Sequence, residues 1–139
     1  MYDHVLIPTD GTDASRRAAD HGISLAAALG ATVTGLSVVE DAGSVQRDQL
    51  RADPQAEAED DLATLEAAAE KANVPARSVI LEGQPDREIL GHVEEHDVDC
   101  IVMGTEQRTG LDRVLDHSVA EAVLEGTTVP VLTVQNPVE

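Results

Sequence analysis

A chain of 139 residues that is 42% hydrophobic can bury a core of its own without disulfides or metals. Its 27 acidic and 9 basic residues give a formal net charge of -18, which repels nucleic-acid backbones and anionic membrane surfaces and argues against both as partners. One Tyr and no Phe or Trp leave nothing from which to build the aromatic platforms that stack single-stranded bases.

The charge exceeds the range of about 2–8 usual for a small soluble domain. With a single Lys, Lys71, and many Ala, Val and Thr, this composition predicts adaptation to high salt, where self-repulsion is screened within a few Å. An acidic protein of ordinary cytosol is the alternative. Cys100 is alone, so an intramolecular disulfide is excluded, and its place in an apolar run predicts a small core residue. No stretch approaches the ~20 apolar residues of a membrane span, and MYDHVLIPTD lacks the basic and apolar regions of a signal peptide, so the expected location is cytoplasmic.

Val5-Leu6-Ile7-Pro8 is a continuous apolar run and predicts a buried first strand. Thr9 to Asp13 is turn and cap chemistry, with Thr12 or Asp13 as the cap and Asp10 suited to an Asx turn with Gly11. A helix follows with Ala18, Gly22, Leu25, Ala26 and Leu29 on one face, stopped by Gly30. Thr32 to Val39 is β-branched and predicts the second strand. Residues 40–53 show no pattern. From Pro54 a second helix runs to about Asn73, with Ala58, Leu62, Leu65, Ala69 and Ala72 inward, and ends before Val74-Pro75. Ser78 to Leu81 is the third strand. Gly83-Gln84-Pro85-Asp86 opens a third helix with Ile89, Leu90 and Val93 inward. Val98 to Met103 is the fourth strand; Val119, Ala122 and Val123 mark a last helix; Val129 to Val134 is the fifth strand.

Strand and helix alternate throughout residues 1–139, with no internal repeat and no second domain. Near-continuous apolar strands in that order imply an α/β fold: a doubly wound parallel sheet with helices on both faces. In such a sheet ligands bind beyond the carboxyl ends of the strands, where strand order reverses.

Several chemistries can be set aside. The P-loop signature is absent, and no Ser–His–acid set has motif context. His92 and His96 in HVEEH share one helix face, but Val93 stands where a zinc-protease helix needs Glu. Two readings remain for that pair: a weak surface metal site with Glu95 and Asp99, or a solvated face, which is the expectation taken.

The opening VLIPTDGTDASRRAADHGISLAAALGATVTGLSVV and the closing IVMGTEQRTGLDRVLDHSVAEAVLEGTTVPVLTV resemble the two halves of universal stress proteins. The resemblance implies a Rossmann-like five-stranded parallel sheet of order 3-2-1-4-5, which places strands one and four together at the switch point. It also implies a homodimer paired through the last strand, here Val129, Val131 and Thr133.

Part of that family binds ATP through a Gly, two residues, a second Gly, nine residues, then Gly-Ser or Gly-Thr. Glycines let backbone amides approach phosphates, and the hydroxyl residue opens a helix whose positive end favours an anion. Here Gly104 and Ser118 match and the spacing is intact, but Gln107 and His117 replace the other two glycines. Their side chains occupy phosphate space, and Glu106 and Asp116 add negative charge; protonated His117 and Arg108 would act the other way. Ser118 and Glu121 also form a capping box that explains the helix start without a ligand.

The resemblance implies a nucleotide cleft of Pro8, Thr9, Asp10, Val38, Met103, Gly104, Gln107, His117, Ser118 and Val119. Two functional expectations follow. The first is a non-catalytic stress-response or regulatory dimer with a degraded nucleotide loop and weak or no ATP binding. The second is an ATP- or AMP-binding protein, with Mg²⁺ and slow hydrolysis, in which Asp10 bonds an adenine edge or carries the metal.

Overall fold

The computed structural model describes residues 2–40, 53–106 and 119–136. The elements are β1 (His4–Pro8), α1 (Asp13–Leu29), β2 (Thr32–Val39), α2 (Pro54–Lys71), β3 (Ala76–Glu82), α3 (Pro85–Glu95), β4 (Cys100–Glu106), α4 (Val119–Gly126) and β5 (Val131–Asn136). The five strands form one parallel sheet of order β3-β2-β1-β4-β5, the order expected.

Side chains alternate across each strand, so the sheet feeds two cores. Val5, Ile7, Val33, Cys100 and Val102 meet Ala18, Ile23 and Ala26 of α1 and Leu65 and Ala69 of α2 on one face. Leu6, Leu36, Ile101 and Met103 meet Ile89 of α3 and Ala120 and Val123 of α4 on the other. Leu6, Ile7, Leu36 and Ile101 are almost completely buried, each contributing about 1.5–3 kcal/mol of transfer free energy.

Local signals explain most boundaries. Thr12 caps α1, its side chain accepting from the Ser15 amide at 3.2 Å, an interaction that contributes ~1 kcal/mol. Gly30 ends the helix with φ 69°, and its amide donates to the Ala26 carbonyl. Asp53 caps α2, accepting from the Gln55 amide, with Pro54 in the first turn.

Some expectations are corrected. Leu29 is 46% exposed; the inner stripe of α1 is Ala14, Ser15, Ala18, Ala19, Gly22, Ile23 and Ala26, because the helix packs its small residues close to the sheet. Ala72 is exposed at the end of α2. The third strand extends to Ala76–Glu82, since its whole length pairs with β2. The fifth begins at Val131, not Val129: Pro130 has no amide to donate, although its carbonyl accepts from Ile101 at 2.9 Å. Cys100 is buried, and burial, with Asp99 second, pushes its thiol pKa up, as befits an inert core residue.

The ladder between β1 and β2 runs from His4↔Thr32 to Pro8↔Leu36, but that between β1 and β4 covers only Val5↔Cys100 and Leu6↔Ile101. The carboxyl ends of β1 and β4 are therefore not joined by a ladder. The first turn of α1 sits there against Gly104, so close that a Cβ on that glycine would lie 2.4 Å from the Ala14 carbonyl carbon.

Candidate functional site

A cleft of about 240 Å³ opens at this point, on the sheet face covered by α3 and α4. Of the residues expected there, Pro8, Thr9, Asp10, Val38, Met103, Gly104 and Val119 all line it. They come from the ends of three strands and the start of α4, distant in sequence and joined by the crossover topology. Gln107, His117 and Ser118 lie outside the described residues, as do Arg108, Asp116 and the capping of α4 by Ser118.

Ser15, Leu36, Glu40, Pro85 and Ile89 also line the cleft and were missed in the sequence. Two had a readable signal. Leu36 lies two residues before Val38 and so points to the same face. Ile89 lies one turn beyond Pro85 at the start of α3. Glu40, which follows β2, had none.

The polar rim is organised by the turn after β1. Asp10 Oδ1 accepts from the Thr12 amide at 3.1 Å and the Thr12 hydroxyl at 2.7 Å, which is the Asx-turn role expected of it. Its Oδ2 makes no hydrogen bond among the described residues. Ser15, only 5% exposed, donates its hydroxyl to the Thr12 carbonyl at 3.0 Å and lies 3.2 Å from Thr9 Oγ1. Gly11 has φ 81°, a conformation that favours glycine, and sits against the Asp61 carboxylate.

The remaining wall is apolar: Pro8, Leu36, Val38, Ile89 and Met103. Asp10 and Glu40 are the charged residues among those described in the lining. The arrangement can take a flat apolar ring between its walls and offers carboxylate and hydroxyl oxygens to a donor at the rim. It presents repulsion to an anion.

Thr9 also borders a second hollow of about 250 Å³ between α1 and α2, lined by Arg16, Asp20, Asp60 and Asp61 among others. Burial raises the Asp61 pKa; Arg16 opposes this, while Asp60, Asp10 and Glu57 add to it. Arg16 is already engaged with Asp13 at 3.2 Å.

His92 corrects an expectation. It is not on a solvated face but only 7% exposed, on the side of α3 that packs on the sheet. Among the described residues no group of three His, Cys, Asp or Glu side chains is placed to hold a metal ion, and no helix among them is long and apolar enough to cross a membrane.

Known proteins share this fold. The sequence pattern of the Universal stress protein family matches residues 1–135. Universal stress protein MJ0531 of Methanocaldococcus jannaschii is 36% identical over 143 residues, covering 99% of this chain and 84% of its own length. The solved structure of MJ0577 from the same organism superposes with a TM-score of 0.81 at 27% identity, covering 100% of this chain and 99% of the other. A universal stress protein from Archaeoglobus fulgidus, solved in complex with dAMP, has a TM-score of 0.75 at 20% identity, covering 96% and 98%.

Proposed function

Because the chain belongs to the universal stress protein family, we propose that it is a non-catalytic regulatory module of the stress response. Its cleft takes the nucleoside end of an adenine nucleotide weakly and offers a triphosphate no cradle. The observation that carries this reading is the lining. An apolar slot from Pro8, Leu36, Val38, Ile89 and Met103 suits a base, while Asp10 and Glu40 stand at the rim with no Lys or Arg among the described lining residues.

Two further points support it. Gln107 and His117 replace glycines at positions where backbone amides would approach phosphates. The volume of about 240 Å³ lies below the roughly 300–1,000 Å³ common for ligand pockets, as suits a small part of a ligand. The neighbour crystallised with dAMP supports only the point that this fold accommodates a mononucleotide.

A second reading, ATP or AMP with Mg²⁺ and slow hydrolysis, is favoured by one observation. Gly104 and Val119, which flank the intact loop spacing, line the same cleft. In that reading Asp10 would hold the metal through Oδ2 and the ion would offset the phosphate charge.

The proposal extends to assembly and setting. β5 is an edge strand, with Val131 half-buried, Thr133 exposed and Leu132 45% exposed. A homodimer paired along it would cover that row of open backbone groups. The net charge of -18 fits a cytoplasm rich in salt.

Crystals soaked in AMP test the cleft assignment. The expected density is a base between Val38, Ile89 and Met103. An empty cleft at saturating AMP removes the nucleotide from the proposal, and density elsewhere moves the site.

A further inference from the structure

At the opposite end of the α3 face from the cleft lies a histidine cluster that the proposed function leaves unused. His92 and His96 stack with ring centroids 4.0 Å apart and planes at 18°. His96 Nδ1 donates to the His92 carbonyl at 3.1 Å, and its backbone amide donates to the same oxygen at 3.0 Å. His4 at the start of β1 sits under this end of the helix. Its Nδ1 lies 3.0 Å from the Asp97 carbonyl and its Nε2 lies 2.6 Å from the hydroxyl of Thr34.

These contacts select the tautomer of a neutral His4 ring. A carbonyl accepts only, so His4 Nδ1 carries the hydrogen and Nε2 accepts from Thr34 in the neutral ring. Thr34 is 1% exposed. The stack is comfortable for two neutral rings or for one charged ring; two imidazolium rings at 4.0 Å repel.

We propose that His92, stacked on His96 and beside His4, is an acid-sensitive latch that holds the carboxyl end of α3 on the sheet. Burial is the main reason that His92 favours its neutral form, with His96 and then His4 adding to it and Glu95 opposing. The other elements supply little that would offset a charge there. β2 has no charged residue, and the acids of α4, Glu121 and Glu125, are exposed. Asp97 is exposed and engages His4 through its backbone. Asp99 spends one carboxylate oxygen on the amides of Asp3 and His4.

The sign follows from linkage. With the folded His92 pKa lowered, the unfolded chain binds more protons below the ordinary imidazole value of about 6.5. Stability is fully present above that pH and is lost as pH falls below it. The consequence is local, because α3 is a single short helix with the latch at one end. Pro85 and Ile89 of the same helix stand in the cleft wall, roughly 10 Å and roughly 5 Å from His92 by helix rise. Release of the latch therefore loosens one wall of the cleft.

Hydrogen exchange of the full chain, corrected for intrinsic rates, tests this without any ligand, and so independently of the nucleotide reading. Between about pH 7.5 and about pH 5.5 the amides of α3 are expected to exchange severalfold faster, with α1 little changed. In His92→Gln the acid response of α3 should be lost. If that variant does not fold, His96→Gln removes the exposed stacking partner and should shrink the response, and ring titration of the native chain should place His92 below its ordinary value. Equal protection of α3 at both pH values, the same acid response in the variants, or a His92 that titrates at or above the ordinary value overturns the latch.

Discussion

Gly104→Ala is expected to lose about 3 kcal/mol of stability with no nucleotide present, on the order of 10 °C in Tm. The added Cβ would lie 2.4 Å from the Ala14 carbonyl carbon and oxygen and 2.7 Å from the Ser15 nitrogen. Overpacking costs about 1–3 kcal/mol where side chains can move aside. Here the obstacles are backbone atoms in the first turn of α1, held by the Thr12 cap and the Ser15 bond to the Thr12 carbonyl. Relief requires moving the helix off β4, so the upper end of the range applies. Urea unfolding at fixed salt is the check. An alanine variant as stable as the parent would show that α1 shifts freely, and that this glycine serves something other than helix packing.

Gln107→Gly combined with His117→Gly is expected to tighten Mg²⁺-ATP at least tenfold, about 1.4 kcal/mol, and to leave AMP nearly unchanged. Two amides would gain access to phosphate oxygens, and charge-assisted bonds of that kind contribute about 1.5–3 kcal/mol each before the ordering of a glycine-rich loop is subtracted. AMP places little at those positions, so the asymmetry between the ligands carries the inference. Parallel calorimetric titrations of parent and variant decide it. Equal gains for both ligands would point to a general opening of the cleft. No gain would place the obstacle in the acidic residues Glu106 and Asp116.

These two glycine questions separate roles that sequence merges. In the primary structure Gly104 reads as the first glycine of a phosphate loop. In three dimensions it is where β4 touches the first turn of α1. The spacing of apolar residues made the order of elements legible, because the inner strands β1, β2 and β4 bury both faces and each helix one. Strand order came from family resemblance, since periodicity within an element says nothing about which strands are neighbours. The cleft was legible at the ends of β1 and β4 for the same reason, and less so on α3. Pro85 was read as a helix starter and Ile89 as core; both readings hold, and both residues also face the cleft.

His92 shows the opposite failure. Two histidines spaced i, i+4 among glutamates read as a polar face. Only the packing of α3 reveals that one of them is buried and the other rests on it. A helix with Ile89, Leu90 and Val93 inward has an inner stripe wide enough to include position 92, so the stripe was there to be read. At the edge strand β5 the error was smaller: Pro130 was included in the strand because its neighbours are β-branched, although it cannot donate to the ladder.

A cleft that takes a nucleoside and not a triphosphate, as proposed, should bind AMP and ATP alike. Titration calorimetry of the native protein, in high salt and with Mg²⁺, tests it by comparing AMP with ATP side by side. Weak binding of both is expected, with ATP no tighter than AMP. A low-micromolar Kd for Mg²⁺-ATP, well below that for AMP, would contradict it.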